Sequence, residues 1–238
     1  MADHEPEDDS SPSGTLRQPL RLALADSIAD SIAEAIATNN LKPGERIIET
    51  SFSERLGVSR VPIREALKVL HAQGIVIGGS HRGYKVATFD ARVTQQILEA
   101  RLQVEALLLR DAIGNWAAGL EDPAMLQGPI DDMRRAARVG DVRASLQADL
   151  NFHRVFRNAA RNAIVGTLWD TIARHVLIVF NFERYRDKDL RAVVRQHEAF
   201  RDWMLERMAA PVDEDEIRNA LEDHMLMIER GRRRHGAH

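Results

Sequence analysis

The sequence predicts a mainly α-helical protein in two parts. An N-terminal winged helix-turn-helix of three helices plus a small β-hairpin precedes an all-α antiparallel helical bundle. Three observations predict it. Apolar residues recur at helical spacing through most of the 238 residues. The exceptions are two short β-like runs, Ile75–Ile77 and Tyr84–Val86, joined by a turn-rich segment, Gly78–Gly83. After Thr88 no further strand pattern occurs, and Gly, Pro, Asn and Asp cut the remainder into helical lengths. The domains expected are an acidic disordered tail over 1–14, the winged helix over 15–88 and the bundle over 89–238.

The elements follow in order. Residues 1–14 are rich in Pro, Ser, Asp and Glu without periodicity, which predicts disorder. The spacing of Leu24, Ile28, Ile32 and Ile36 predicts a helix that Asn39, Asn40 and Pro43-Gly44 stop. A short polar helix is expected from Ser51 to Leu56, ended by Gly57. Ser59 is placed as N-cap of a third helix reaching about Gln73, with Gly74 beyond it. Asp90 caps a long helix to about Asn115. Further helices are expected near 122–139, 141–160, 163–184, 188–208 and 213–230. Short loops between successive helices make neighbours antiparallel.

Composition narrows the function. With 44% hydrophobic and 29% charged residues, the chain can bury a core. It has no cysteine, so a disulfide scaffold, a Cys-ligated zinc and a thiol nucleophile are excluded. Its apolar runs, such as Val176–Phe180, fall far short of the about 20 residues a membrane helix needs. The acidic start has no apolar signal core, so a cytoplasmic location away from the membrane is expected. Charge is uneven: residues 15–88 hold ten basic and seven acidic side chains, which permits a nucleic-acid module.

On the third helix, at about 100° per residue, Ile63, Ala66, Leu67 and Leu70 share one arc. Arg60, Arg64, Lys68 and His71 share the adjacent arc, and Pro62 sits harmlessly in the first turn. A recognition helix needs this arrangement: an apolar face against the domain and arginines at the N-terminal end to reach base edges. The competing reading is a solvated basic face on an ordinary helix.

The run LKPGERIIETSFSERLGVSRVPIREALKVLHAQGIVIGGSHRGYKV resembles the N-terminal domain of the GntR family of bacterial transcription regulators over about Leu20–Thr88. PGERI, LGVSR, PIREAL and HRGYKV carry the resemblance. It implies that Ser59, Arg60, Pro62 and Arg64 approach double-stranded DNA from the recognition helix, and His81, Arg82 and Gly83 from the wing. A homodimer on a pseudo-palindromic operator is expected. Thr50 departs from relatives with a basic residue there, so base preference does not transfer.

In the bundle, polar residues interrupt apolar faces. Asp149 and His153 lie among Val142, Leu146, Phe152 and Phe156. His197 lies among Val193, Val194, Phe200 and Met204, and His224 among Ile217, Ala220 and Leu221. One such His is ordinarily a hydrogen-bonded core residue, and Asp149 with His153 could be a carboxylate–imidazole pair. For all four together, convergence on a metal is the simpler account. ADLNFHRVF, RQHEAF and LEDHML resemble the three ligand segments of the FadR-type C-terminal domain, FCD, over about Asp90–Glu229. The resemblance implies a divalent metal on Asp149, His153, His197 and His224, and a small carboxylate effector held by Arg101. The bland alternative for Arg101 is an intrahelical salt bridge to Glu105. Oxygen plus imidazole ligation favours Zn or Ni, then Mn or Fe. His175 is expected as a core or cavity-lining residue. Trp116, Trp169 and Trp203 are expected to pack.

The function expected is a ligand-responsive, non-enzymatic transcription repressor. The alternative is a metal-dependent enzyme with the winged helix as a docking module.

Overall fold

The computed structural model describes residues 19–79, 82–181, 189–210 and 212–235. The acidic tail 1–14 therefore lies outside the described residues, as does His81. In the N-terminal part α1 is Pro19–Ala37, β1 Arg46–Ile47, α2 Glu49–Leu56, α3 Arg60–Ala72, β2 Val76–Gly79 and β3 Gly83–Val86. In the C-terminal part α4 is Ala91–Ala117, α5 Gln127–Val139, α6 Val142–Ala159, α7 Ala163–Asn181, α8 Leu190–Arg207 and α9 Glu214–His235.

Ile28, Ile32 and Ile36 of α1 bury against Ile63, Ala66, Leu67 and Leu70 of α3. The α3 face predicted from periodicity is completely buried. Leu24 is exposed, and the buried stripe of α1 begins at Ala25 instead. Ser59 occupies the N-cap position of α3 without a side-chain capping bond.

The hairpin expected from sequence is part of a three-stranded antiparallel sheet in the order β1-β3-β2. Arg46 pairs with Lys85 and Ile47 with Tyr84. Two residues are too short to show alternation, so β1 has no sequence signature. Gly78 is required in the hairpin: its φ is +108°, and a Cβ there would lie 2.2 Å from the Gly83 carbonyl oxygen. Gly83 itself has φ +74°, so its backbone conformation also favours glycine.

Asp90 and Asp141 cap α4 and α6 by accepting from the Val93 and Ala144 amides. The helix expected over 122–139 is divided: Pro123–Leu126 forms a 3₁₀ turn before α5. Leu108, Ile130, Phe152, Phe156, Trp169, Met204 and Leu221 lie in one core drawn from α4–α9. The two parts are packed together through α1 and α7. Ile178 of α7 is buried in the winged-helix core. Arg174 donates to Asp30 at 2.7 Å and Asp26 at 3.3 Å.

Candidate functional site

Two groups of residues stand out, one on the surface of α3 and one inside the bundle. Arg60 and Arg64 are i,i+4 neighbours on α3, and their side chains are 54% and 52% exposed. Between them lies Glu49, the first residue of α2. Its Oε2 accepts from Arg64 Nε at 2.7 Å and from Arg60 Nη2 at 3.3 Å. Burial works to raise the Glu49 carboxyl, but the bonds from Arg64 and Arg60 outweigh it, so the pKa lies below the ordinary carboxylate value. Lys68, one turn further, pairs with Glu65 at 2.9 Å. Ser59 is exposed beside this face, and Pro62 is half-buried. Arg82 is exposed on the wing, its amide donating to Gly79 O at 3.1 Å, and Gly83 opens β3. The predicted contacts Ser59, Arg60, Pro62 and Arg64 thus sit together at one end of α3. Glu49 was missed, because its separation from the arginines is 11 and 15 residues and it belongs to another helix.

Inside the bundle, α6, α8 and α9 bring His153, His197 and His224 together. One ring nitrogen from each lies within 4.8 Å of the others. Opposite ligands on a first-row divalent ion stand roughly 4 Å apart, so the spacing is close to that of a coordination sphere. Phe152, Phe156 and Phe200 wall the cluster, and Phe200 stacks on the His224 ring at 4.2 Å.

The contacts of each ring constrain the chemistry of the cluster. His197 Nδ1 is 2.8 Å from Val193 O. A carbonyl only accepts, so that nitrogen carries the ring proton. His197 Nε2 in turn faces Asp149 Oδ1, 2.8 Å away, a contact that a second ring proton or a bound cation can bridge. His153 Nδ1 and His197 Nε2 each face a carboxylate oxygen at 2.8 Å, whereas His224 Nδ1 is buried with no hydrogen-bond partner among the described residues. The donor set, three imidazoles and one carboxylate, fits a divalent transition metal.

Asp149 pairs with His197 across helices rather than with His153 on its own helix. The partner of His153 is Glu105 of α4, whose Oε2 lies 2.8 Å from His153 Nδ1. Glu105 Oε1 accepts from Arg101 Nε at 2.8 Å and from Trp169 Nε1 at 2.9 Å. The intrahelical salt bridge considered for Arg101 is therefore present, and it is buried: 3% and 1% of the two side chains is exposed. Trp169 is not merely a packing residue, since its indole N–H orients this carboxylate.

Burial would raise the Glu105 carboxyl, but Arg101 and His153 hold it down to about 2. Burial likewise opposes ionisation of Asp149, yet the His197 contact keeps it well below the ordinary carboxylate range. Burial lowers His153, only partly opposed by Glu105, and lowers His224 further, helped by the neighbouring imidazoles. Both rings are thereby held in the neutral form that ligation requires.

The helix α7 touches the buried group and the C-terminal end of α3. Trp169 lies at the Glu105 carboxylate, and His175 lies at the domain junction, half-buried. His175 Nε2 is 2.8 Å from Gln73 O, at the C-terminal end of α3, and Nδ1 is 3.1 Å from Thr171 O. His175 is therefore neither a core residue of the bundle nor a member of the cluster: it ties the bundle to the helix that bears Arg60 and Arg64.

The FCD domain family matches residues 96–227, and the family described as bacterial regulatory proteins, gntR family, matches residues 24–86. A probable D-xylose utilization operon transcriptional repressor of Paenarthrobacter nicotinovorans is 27% identical over 165 residues, covering 69% of this chain and 72% of that protein. The HTH-type transcriptional regulator YdhC of Bacillus subtilis is 25% identical over 159 residues, covering 66% and 69%. Among solved structures, E. coli McbR/YncC superposes with a TM-score of 0.71 at 19% identity, over 87% of this chain and 98% of that one. These similar proteins are transcription regulators, not enzymes. Among the described residues, no helix is long and apolar enough to cross a membrane.

Proposed function

We propose, because the chain belongs to the gntR family of bacterial regulatory proteins and carries an FCD domain, that it is a transcription repressor whose operator affinity is set by a small organic acid bound beside a divalent metal. It acts as a cytoplasmic homodimer on a pseudo-palindromic site. Ser59, Arg60, Pro62 and Arg64, with His81, Arg82 and Gly83 of the wing, form the DNA-facing set. Asp149, His153, His197 and His224 hold the metal, with zinc or nickel favoured over manganese or iron.

The observation that carries this reading is the buried cluster itself: three histidines with ring nitrogens within 4.8 Å of one another, and the Asp149 carboxylate 2.8 Å from one of them. One carboxylate and three neutral rings give the donor set a charge of −1, and Arg101 and Glu105 cancel each other. A divalent ion therefore leaves a net +1, which favours an anionic oxygen donor. When bound, the metal supplies a Lewis-acid position for an effector carboxylate. Arg101, although balanced by Glu105, lies close enough for its field to act on Asp149, His153 and His224 and to orient an effector carboxylate. The residues orient and neutralise a ligand, and the response travels to DNA through a change in the domain arrangement.

The test is operator binding by fluorescence anisotropy on metal-loaded protein, titrated with a panel of mono-, di- and hydroxycarboxylic acids. At least one acid should shift operator affinity, and the shift should disappear in chelator-treated protein. No shift with any acid, with and without metal, overturns the effector assignment.

A further inference from the structure

We infer that Glu49 is a specificity-determining residue of the DNA-reading face, the positioning carboxylate that sets how Arg60 and Arg64 address base edges. This rests on the assignment of that face to DNA. The juxtaposition is the oxygen of Glu49 placed between two arginines one turn apart, at 3.3 and 2.7 Å.

The Glu49 side chain is only 17% exposed, whereas both arginines are more than half exposed. The carboxylate is thus the seated partner and the guanidinium ends are the presented ones. An arginine can read guanine with two donors in two ways, side-on through Nε and one Nη, or end-on through both Nη groups. The Arg64 Nε–H points to Glu49, which closes the side-on mode and leaves the end-on edge for O6 and N7. Arg60 is tied instead through Nη2, so the two arginines present different edges to the groove. One carboxylate therefore gives two chemically identical side chains distinct geometries.

Charge has a second consequence. Arg60, Arg64 and Lys68 carry three positive charges on this face, and Glu49 and Glu65 return two negative ones. A face with a net charge of only +1 gains little from phosphates at random sequence, because non-specific affinity grows with the number of phosphates neutralised. Glu49 thus lowers the background against which base contacts are measured. A guanine that satisfies Arg64 end-on leaves the Glu49 bond intact, so the cognate site does not have to break the pair.

The experiment uses the full-length protein, chelator-free, with the best duplex selected from a randomised pool and a scrambled duplex of equal composition. Anisotropy titrations at several salt concentrations are run on wild type, Glu49→Gln and Glu49→Asp, with melting curves to confirm folding. Gln keeps the reach and loses the charge; Asp keeps the charge and loses the reach. Both should reduce the preference for the selected duplex by roughly tenfold, the lower end of what one arginine–guanine contact discriminates. Glu49→Gln should also bind the scrambled duplex several-fold more tightly, with a steeper salt dependence. Repeating the selection with Glu49→Gln should relax the base positions that Arg64→Ala relaxes. If wild type discriminates and both variants keep its preference and its base profile, Glu49 is a bystander ion pair and the inference is wrong. If wild type itself shows no preference, the DNA-reading assignment falls, and the inference falls with it.

Discussion

Replacing Glu105 by Gln removes a single charge from the bundle interior, and its effect can be worked from the contacts. The Arg101 Nε–Glu105 Oε1 distance is 2.8 Å, with both side chains almost wholly buried. At an effective dielectric of about 20, that separation corresponds to about 6 kcal/mol of attraction before desolvation is subtracted. Removing one partner of such a pair leaves the other charge buried and uncompensated, which costs about 3–5 kcal/mol. Gln keeps the volume and can still accept from Trp169 and Arg101, so the loss is electrostatic rather than a cavity. In a chain of this size each kcal/mol lowers the melting temperature by about 2–4 °C, giving a fall of roughly 6–20 °C. The assay is calorimetric unfolding at pH 7 on chelator-treated and metal-loaded protein, which separates the pair from the metal. The double variant Arg101→Leu with Glu105→Leu removes both charges, and should lose less stability than Glu105→Gln alone. A fall of less than about 3 °C for Glu105→Gln in both preparations would show that water reaches the pair and that the buried network does not hold the helices.

Four further outcomes are expected. Arg64→Ala should weaken the selected duplex by about 1–3 kcal/mol and relax one base position in each half-site, measured by anisotropy against single-base variants. Protein purified without chelator or nickel resin should carry near-stoichiometric metal by elemental analysis, and His224→Ala should lower both metal content and melting temperature. His153 and His224 are held below the ordinary imidazole value, so the unfolded chain takes up protons first; stability and metal occupancy should be full above about pH 6.5 and decline below it, read by melting curves across pH. Trp169→Phe removes one hydrogen bond to an ionised acceptor and should cost about 1.5–3 kcal/mol; operator affinity that still responds undiminished to the effector would exclude a role for that bond in coupling.

Much of the fold was legible because it is local. The α3 periodicity, the Asp90 and Asp141 caps and the helix-breaking glycines act within one or two turns, and each element appears where those signals lie. What escaped is long-range. β1 exists only because Tyr84 and Lys85 pair with it, and no pattern within two residues announces a partner nearly forty positions away. The four residues expected to bind metal were visible as polar interruptions of apolar faces. Their pairing was not: i,i+4 spacing suggested Asp149 with His153, but the helix packing delivers Asp149 to His197 and His153 to Glu105. Trp169 resembles any core aromatic in sequence, and only the approach of α4 to α7 gives its indole N–H an acceptor. The same geometry alters how Arg101 can be probed. Because Arg101→Ala strands the Glu105 carboxylate, the variant loses stability along with any effector contact, and Arg101→Lys, which keeps the charge, is the cleaner substitution.

The proposed regulation needs an element whose position both sites can bias, and α7 satisfies that requirement physically. Trp169 and His175 are six residues apart, about 9 Å along a rigid helix. One bonds the Glu105 carboxylate beside the histidine cluster; the other lies at the carbonyl that ends the recognition helix. Between them Arg174 grips Asp26 and Asp30 of α1, and beyond them Ile178 is sealed into the winged-helix core. A ligand that alters how Glu105 is shared among Arg101, His153 and Trp169 acts on one end of this helix. The tie to Glu105 is a hydrogen bond to an ionised acceptor, worth about 1.5–3 kcal/mol. Since 1.4 kcal/mol is a factor of ten, making or breaking that bond is enough for a ten- to hundredfold change in the balance between domain arrangements. No large displacement is needed. The winged helix is held to α7 by apolar contact, ion pairs and a histidine bond together, so a shift of α7 is passed directly to α1 and to the C-terminal end of α3.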